Sequence, residues 1–259
     1  MVTLTELTAP LNGSFFSKTR LQLFSHETIG GRCGRQFYFK ASFSFIMIPR
    51  TRGSGGNGLA FAVSATNKTT SIIGSGVGYA GMSTRSIAVE FDTWQDTEHN
   101  DTSASHVGVN LNGSSLLNVT ANTSTALNNG KMYFAWVDYN PDDEGESLKV
   151  YLADSFNGRL VDPVLSMNLS LSLYNVLKPT WPSPSFYFGF VAASDLHAQK
   201  HAVAMASDIT GKPAAARKAQ LSKHAGLCMC MGLLVDVDTF NPQTTSPFTR
   251  YVSVGHTKA

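Results

Sequence analysis

From residue 19 to about residue 205 the chain alternates apolar and polar residues with a period of two, interrupted by clusters of Gly, Asn, Ser and Thr. Successive side chains of a strand point to opposite faces, so this pattern specifies many short strands, each with one face to bury. In ASFSFIMI, Ala41, Phe43, Phe45 and Met47 share one face, while Ser42 and Ser44 begin the other, which turns apolar at Ile46 and Ile48. In SFYFGFVA the inward set is Phe186, Phe188 and Phe190. KMYFAWVDY is apolar on both faces, as a central strand is. PDDEG then turns it into SLKVYLA, where Leu148, Val150 and Leu152 alternate with Lys149 and Tyr151, so the two segments read as a hairpin. Helical periodicity is nearly absent and no βαβ unit is legible. Sheets of this kind must close on each other as an antiparallel sandwich or barrel. At 259 residues the chain is within the range of one such domain and long enough to bury a core without disulfides.

The alternation stops near Asp208. AAARKAQLSKHAGLCMCMGLLVDVDTF and a Thr/Pro/Ser-rich end follow. The expected division is a β-sandwich over 1–208 and a divergent, disordered or weakly packed tail over 209–259, within which 214–224 has the composition of a short basic helix.

Hydrophobic residues at 42% and aromatics at 10% suit a globular domain, and a formal charge of +2 without a Lys/Arg block argues against a nucleic-acid partner. Cys33, Cys228 and Cys230 form neither a zinc ribbon nor a disulfide framework. The apolar run from Ala225 to Val235 is too short to span a membrane. Seven N-x-[ST] sequons, at Asn12, Asn67, Asn100, Asn112, Asn118, Asn122 and Asn168, exceed the roughly two expected by chance. They favour a secreted glycoprotein over a Ser/Thr/Asn-rich β-surface. The opening MVTLTELTAPLNG has no basic n-region and no apolar h-region, so no signal peptide is legible in it.

The stretch richest in chemistry is SIAVEFDTWQDTEHNDTSASHVGVNL. Alternation places Ile87, Val89 and Phe91 on one face and Glu90, Asp92, Trp94 and Asp96 on the other. Carboxylates crowded on one face repel and need a cation or protonation. Asp101 and His106 follow within reach of the same point. An imidazole among carboxylates suits a transition metal, whereas calcium takes oxygens only. Two ions sharing Asp92 and Asp101 is the economical arrangement; a solvated acidic strand end with an exposed histidine is the bland alternative on this stretch alone.

This stretch resembles the metal-binding loop of legume lectins, the concanavalin A-like, L-type family, and its spacing is closest to the lectin domains of plant lectin receptor kinases. GGNGLAF (55–61) is similar to the family's GGDGLAF loop, and GVGYAGM (76–82) to its glycine-rich loop. PVLSMNLSLSL (163–173) resembles its PLLS-and-DLS segment, and FYFGFVAAS its YVGFSAS. Together these cover roughly residues 19–205 in the family's order. The resemblance implies a jelly-roll β-sandwich that binds glycans or glycoproteins without catalysis, with Ca2+ and Mn2+ (or a similar transition metal) as cofactors and a homodimer as one possible assembly.

Carried over residue by residue, the resemblance implies that Glu90, Asp92, Asp101 and His106 bind the manganese-type ion. Asp92, the Trp94 carbonyl, Asp96 and Asp101 are implied to bind calcium. For carbohydrate it implies the Trp94 ring, Gly78 through its main-chain N–H, Asn57, Asp96, and Leu196 and His197 in the specificity loop DLHA (195–198). The family carries aspartate where Asn57 stands and asparagine where Asp96 stands. An aspartate accepts hydrogen bonds from two sugar hydroxyls, whereas an amide has one acceptor oxygen. The family's closing Trp-Ser-Phe element is absent from HAVAMASDI, where Ala206 takes the tryptophan's place. Its first strand is only faintly legible in residues 1–15, so a sandwich incomplete at that edge is expected. A glycan on Asn100 would crowd Asp101, so that sequon is expected to be unused.

Two other function classes meet the same residues. A sandwich glycosidase also carries an E-x-D strand, but its third carboxylate belongs at 94 or 95, where Trp94 and Gln95 stand; Glu98 is out of phase and reads as solvated. A lectin-like module that has lost sugar binding, and instead binds a protein or small ligand, is favoured by Asn57 and Asp96. No H-R-D or D-F-G motif occurs, so a receptor role is expected to need another chain. His197 and His201 read as structural or solvent-facing.

Overall fold

The computed structural model describes residues 1–23, 37–68, 76–99, 101–114, 119–140, 147–155, 159–169, 176–177, 185–205, 210–213 and 248–253. The three cysteines, Asn100, Asn118, Ala206, the PDDEG turn and the 214–224 segment lie outside these residues. The described strands are β1 (Val2–Thr5), β2 (Leu11–Ser17), β3 (Leu21–Gln22), β4 (Phe37–Pro49), β5 (Gly58–Ser64) and β6 (Ser86–Asp92). They continue with β7 (His106–Leu111), β8 (Val119–Asn122), β9 (Met132–Asn140), β10 (Ser147–Ala153), β11 (Leu165–Asn168), β12 (Ser185–Ser194), β13 (Gln199–Met205), β14 (Thr210–Pro213) and β15 (Phe248–Ser253).

These strands form two antiparallel sheets. One runs β1-β13-β4-β9-β10-β11, with β14 also paired to β4; the other runs β15-β2-β12-β5-β6-β7-β8, with β3 also paired to β12. The fold is thus an all-β antiparallel sandwich. The hairpin expected of β9 and β10 is present, with Val150 opposite Val137. The N-terminal edge, expected to be incomplete, is built: β1 pairs with β13, and β2 lies beside β12. Its pairing registers through long-range partners, Val2 with Val203, which residues 1–15 do not reveal on their own. Two segments beyond residue 208 join the sheets through their backbones, β14 onto β4 and β15 onto β2.

The alternating residues meet where expected. Phe43, Phe45 and Met47 of β4 and Phe186, Phe188 and Phe190 of β12 all belong to the core between the sheets. Aromatic contacts join the layers: the Phe43 ring lies 4.8 Å from Phe190, 5.7 Å from Phe61 and 5.8 Å from Phe91. Burial of such rings supplies most of the driving force for sheet-on-sheet packing.

Strands β5 and β6 are buried on both faces. Their inward set, Leu59, Phe61, Val63, Ile87, Val89 and Phe91, enters the main core. Their outward face carries the small residues Ala60, Ala62 and Ala88 before Glu90 and Asp92, and a second cluster forms where Val77, Tyr79 and Met82 of the 76–82 turn pack over the alanines. Alanines on that face let the turn lie close to the sheet. Gly78, with φ of 86°, occupies a backbone region that disfavours side chains, and a Cβ there would stand 3.2 Å from the Ala192 carbonyl oxygen.

Candidate ion and ligand site

Strand β6 turns Glu90 and Asp92 away from the main core, and β7 runs beside it with His106 opposite Asp92 and Gly108 opposite Glu90. Gly108 contributes no side chain, which leaves the Glu90 carboxylate open toward His106. The His106 ring is fully buried. Its Nδ1 lies 2.8 Å from the Ser103 carbonyl, which can only accept, so Nδ1 carries the proton. Nε2, facing Glu90 Oε1 at 3.2 Å and Asp101 Oδ1 at 3.5 Å, then either carries a second proton or leaves a lone pair against two carboxylates. Acceptors facing acceptors in a buried site require a positive charge between them.

Glu90, Asp101 and His106 offer ligand atoms that lie within 4.8 Å of one another. One imidazole with carboxylates is a donor set for a transition metal, and the residues fit such an ion. The electrostatics agree. Burial, then the neighbouring Glu90 charge, pushes the Asp92 carboxyl well above its usual range. Burial likewise raises Asp101. For His106, burial opposes the charged form, but the Glu90 hydrogen bond and charge, the Ser103 carbonyl and Asp101 outweigh it, so its pKa is raised. The protein without an ion must therefore hold protons at a point where a cation would serve as well.

The face shared by Glu90 and Asp92 ends with the strand. Alternation was expected to carry Trp94 and Asp96 onto it, but β6 stops at Asp92 and the chain turns off the sheet. The carboxylates themselves make the turn: Asp92 Oδ1 accepts from the Trp94 N–H at 2.6 Å, and Asp101 Oδ2 accepts from the Asp96 N–H at 2.7 Å. A 3-10 turn over Thr97–His99 follows. The Asp96 side chain lies 3.8 Å from His99 Nδ1 and is outside the Glu90–Asp101–His106 cluster.

Beside this loop opens a cavity of about 310 Å3. Asn57, Trp94, Asp96, Leu196 and His197, far apart in sequence, all line it; Gly78 does not. Gly55, Gly56 and Asp195, within the loops read as GGNGLAF and DLHA but not singled out there, and His99 lie on the same wall; Glu98, read as solvated, is exposed and also lines the cavity. Their loop positions carry no periodic signal. The Trp94 indole, 36% exposed, stands 5.2 Å from the His197 ring, and Leu196 projects into solvent. Asp96, Glu98 and Asp195 give the wall an acidic character, with no Lys or Arg among the lining residues.

Beneath the cavity lies a buried polar network. Gln199 Oε1 accepts from the Gly56 N–H at 2.6 Å, and Gln199 Nε2 donates to Thr93 Oγ1 at 3.1 Å. Thr93 in turn donates to the Gly56 carbonyl at 2.5 Å. A side chain at Gly55 would run into the Thr93 carbonyl, so the two loops touch backbone to backbone. His201, fully buried, completes the network: Nδ1 meets Thr5 Oγ1 at 2.5 Å and Nε2 meets Gln199 Nε2 at 3.0 Å. Thr5 spends its own proton on the Gln199 carbonyl at 2.8 Å, so His201 Nδ1 donates and Nε2 accepts. Burial lowers the His201 pKa to about 3. His201 is thus a structural residue, while His197 belongs to the cavity.

The family model for the legume lectin domain matches residues 1–223. A lectin-like protein of Arabidopsis thaliana is 32% identical over 159 residues, covering 53% of this chain and 58% of that protein. The L-type lectin-domain containing receptor kinase VIII.2 of Arabidopsis thaliana is 31% identical over 173 residues, covering 64% of this chain and 22% of the kinase. The chain therefore spans less than two thirds of these relatives' length. Among solved structures, winged bean acidic lectin in complex with methyl-alpha-D-galactose superposes with a TM-score of 0.60 at 22% identity, covering 78% of this chain and 82% of the lectin. Peanut lectin gives 0.58 at 22% identity over the same shares. These neighbours bear on the fold.

Proposed function

Because the chain belongs to the legume lectin domain family, we propose that it is a non-catalytic carbohydrate-binding domain whose cavity is held in shape by bound cations. The observation that carries this reading is the shared loop. Residues 92–101 supply Asp92 and Asp101 to the acidic site and Trp94 and Asp96 to the cavity wall. Glu90, Asp92, Asp101 and His106 are the residues for a manganese-type ion. Asp92, the Trp94 carbonyl, Asp96 and Asp101 are those for calcium. The ions supply the positive charge that the buried carboxylates lack, which fixes the loop before a ligand arrives. In the cavity the Trp94 face serves the C–H side of a sugar ring, while Asn57, Asp96 and His197 offer hydrogen-bond groups to hydroxyls. Gly78 takes part through its main-chain N–H only if the 76–82 turn closes toward the ligand.

The domain fits a secreted plant glycoprotein whose partners are glycans or glycoproteins, with a homodimer as the assembly that adds avidity. Asn122 and Asn168 are exposed and Asn67 is half-buried, so these are suitable acceptors; Asn12 is buried between β12 and β15 and is not. Among the described residues no helix is long and apolar enough to cross a membrane.

A second reading, a lectin-like module that binds a protein or small ligand instead of sugar, is favoured by the acidic wall and by the amide at Asn57. A glycan array run with and without chelator separates the two. Binding abolished by chelator is expected. Ion binding without any glycan signal selects the second reading, and glycan cleavage would overturn both.

A further inference from the structure

Tyr79 is the most buried polar side chain of the 76–82 turn, 1% exposed, and it sits with Val77 and Met82 over Ala60, Ala62 and Ala88. Its phenol donates to Glu90 Oε2 and accepts from Asn110 Nδ2. Asn110 Nδ2 also reaches Glu90 Oε2, at 3.2 Å. The other oxygen of the same carboxylate, Oε1, is the one facing His106 Nε2. The two oxygens of Glu90 are thus divided: one is held by a tyrosine and an asparagine on the turn side, and the other is left to the ion cluster.

We propose that Tyr79 and Asn110 are positioning residues that join the Gly78 turn to the ion site through Glu90, so that a bound cation orders the turn and the turn strengthens cation binding. The proposal rests on the reading of Glu90, Asp101 and His106 as an ion site. Two donors on Oε2 fix the rotamer of Glu90 and keep Oε1 aimed at the cluster, the role outer hydrogen bonds play for metal-ligating carboxylates. The linkage is reciprocal: whatever binding energy the ion gains from an ordered turn, the turn gains from the ion. Gly78 comes directly before Tyr79, so any ligand contact made by its N–H inherits that order.

The test uses the full chain stripped of ions. Mn2+ affinity is measured by calorimetry, and amide exchange of the 76–82 peptide is followed with and without Mn2+. In the native protein Mn2+ is expected to slow exchange in 76–82. Tyr79→Phe keeps the ring in its apolar cluster and removes the hydroxyl. It is expected to weaken Mn2+ binding about tenfold or more. At saturating Mn2+ it should also lose the protection of 76–82 while keeping that of 101–106. Val77→Ala, which loosens the turn without touching Glu90, should raise exchange in 76–82 and, by the same linkage, weaken Mn2+ binding, by less than Tyr79→Phe, which also releases Glu90 Oε2. Unchanged Mn2+ affinity in Tyr79→Phe, or a native 76–82 turn indifferent to Mn2+, overturns the coupling. Native protein that binds no Mn2+ instead removes the ion site itself, a failure visible before any variant is made. If Tyr79→Phe does not fold, Asn110→Leu and the native exchange data decide the question.

Discussion

His201 gives the sharpest handle on the support beneath the cavity. In the folded protein it is neutral, its pKa lowered to about 3 by burial, with Nε2 accepting from Gln199. In the unfolded chain it titrates near 6.5. Between these values the unfolded state binds the extra proton, so stability falls as the pH drops below about 6.5 and continues to fall toward 3. The loss between pH 7 and pH 5 from this one residue is about 2 kcal/mol, or roughly 4–8 °C in Tm for a domain of this size. Forcing the proton on would set two donors face to face, Nε2–H against the Gln199 amide, and release the amide from the Gly56 loop and Thr93. The assay is urea unfolding of native protein and His201→Leu, both in chelator, at pH 7 and pH 5. The leucine side chain of that variant cannot take the proton, so the stability gap between the two proteins should shrink by about 2 kcal/mol on acidification. His106, whose raised pKa contributes stability below its unfolded value and loses it as pH rises, is present in both proteins and cancels. A gap constant to within about 0.5 kcal/mol across this range would refute the buried, neutral His201.

Two further outcomes are expected. Chelator should lower the Tm of native protein, and re-adding Mn2+ alone should restore part of the loss; His106→Ala should abolish that Mn2+-dependent part, since removing the imidazole dismantles the cluster with Glu90 and Asp101, and differential scanning calorimetry with and without Mn2+ reads both. Asn57→Asp should raise affinity for simple monosaccharides by restoring a second acceptor oxygen on the cavity wall, on the order of tenfold for a charge-assisted hydrogen bond; titration calorimetry that finds no gain argues against Asn57 as a sugar contact.

The parts legible in the sequence were those governed by local periodicity. The inward faces of β4, β6, β9, β10 and β12 were written in every second residue, and side chains on one face have nowhere to go but the opposing sheet. The acidic cluster was legible for a related reason: Glu90 and Asp92 alternate onto one face of a single strand, and His106, which begins the neighbouring strand, stands on the same face, opposite Asp92. The pattern failed at Trp94 and Asp96, where carboxylate-to-backbone hydrogen bonds overrode strand continuation. Local alternation does not register such bonds: the Asp92 carboxylate caps the Trp94 N–H two residues on, and the Asp96 N–H bond depends on Asp101 folding back.

By itself, then, the sequence determined the two-sheet architecture and the kinds of residue gathered at the acidic site, because both follow from which side chains share a face. Only the tertiary structure decided what those residues lean on. Gln199 and Gly56 are separated by 143 positions and Thr5 and His201 by 196, yet each pair is in hydrogen-bond contact. Tyr79 meets Glu90 only because a turn with a positive-φ glycine lies down on a face of alanines. Contacts of that separation are fixed by packing of whole sheets and loops, and no period in the chain encodes them.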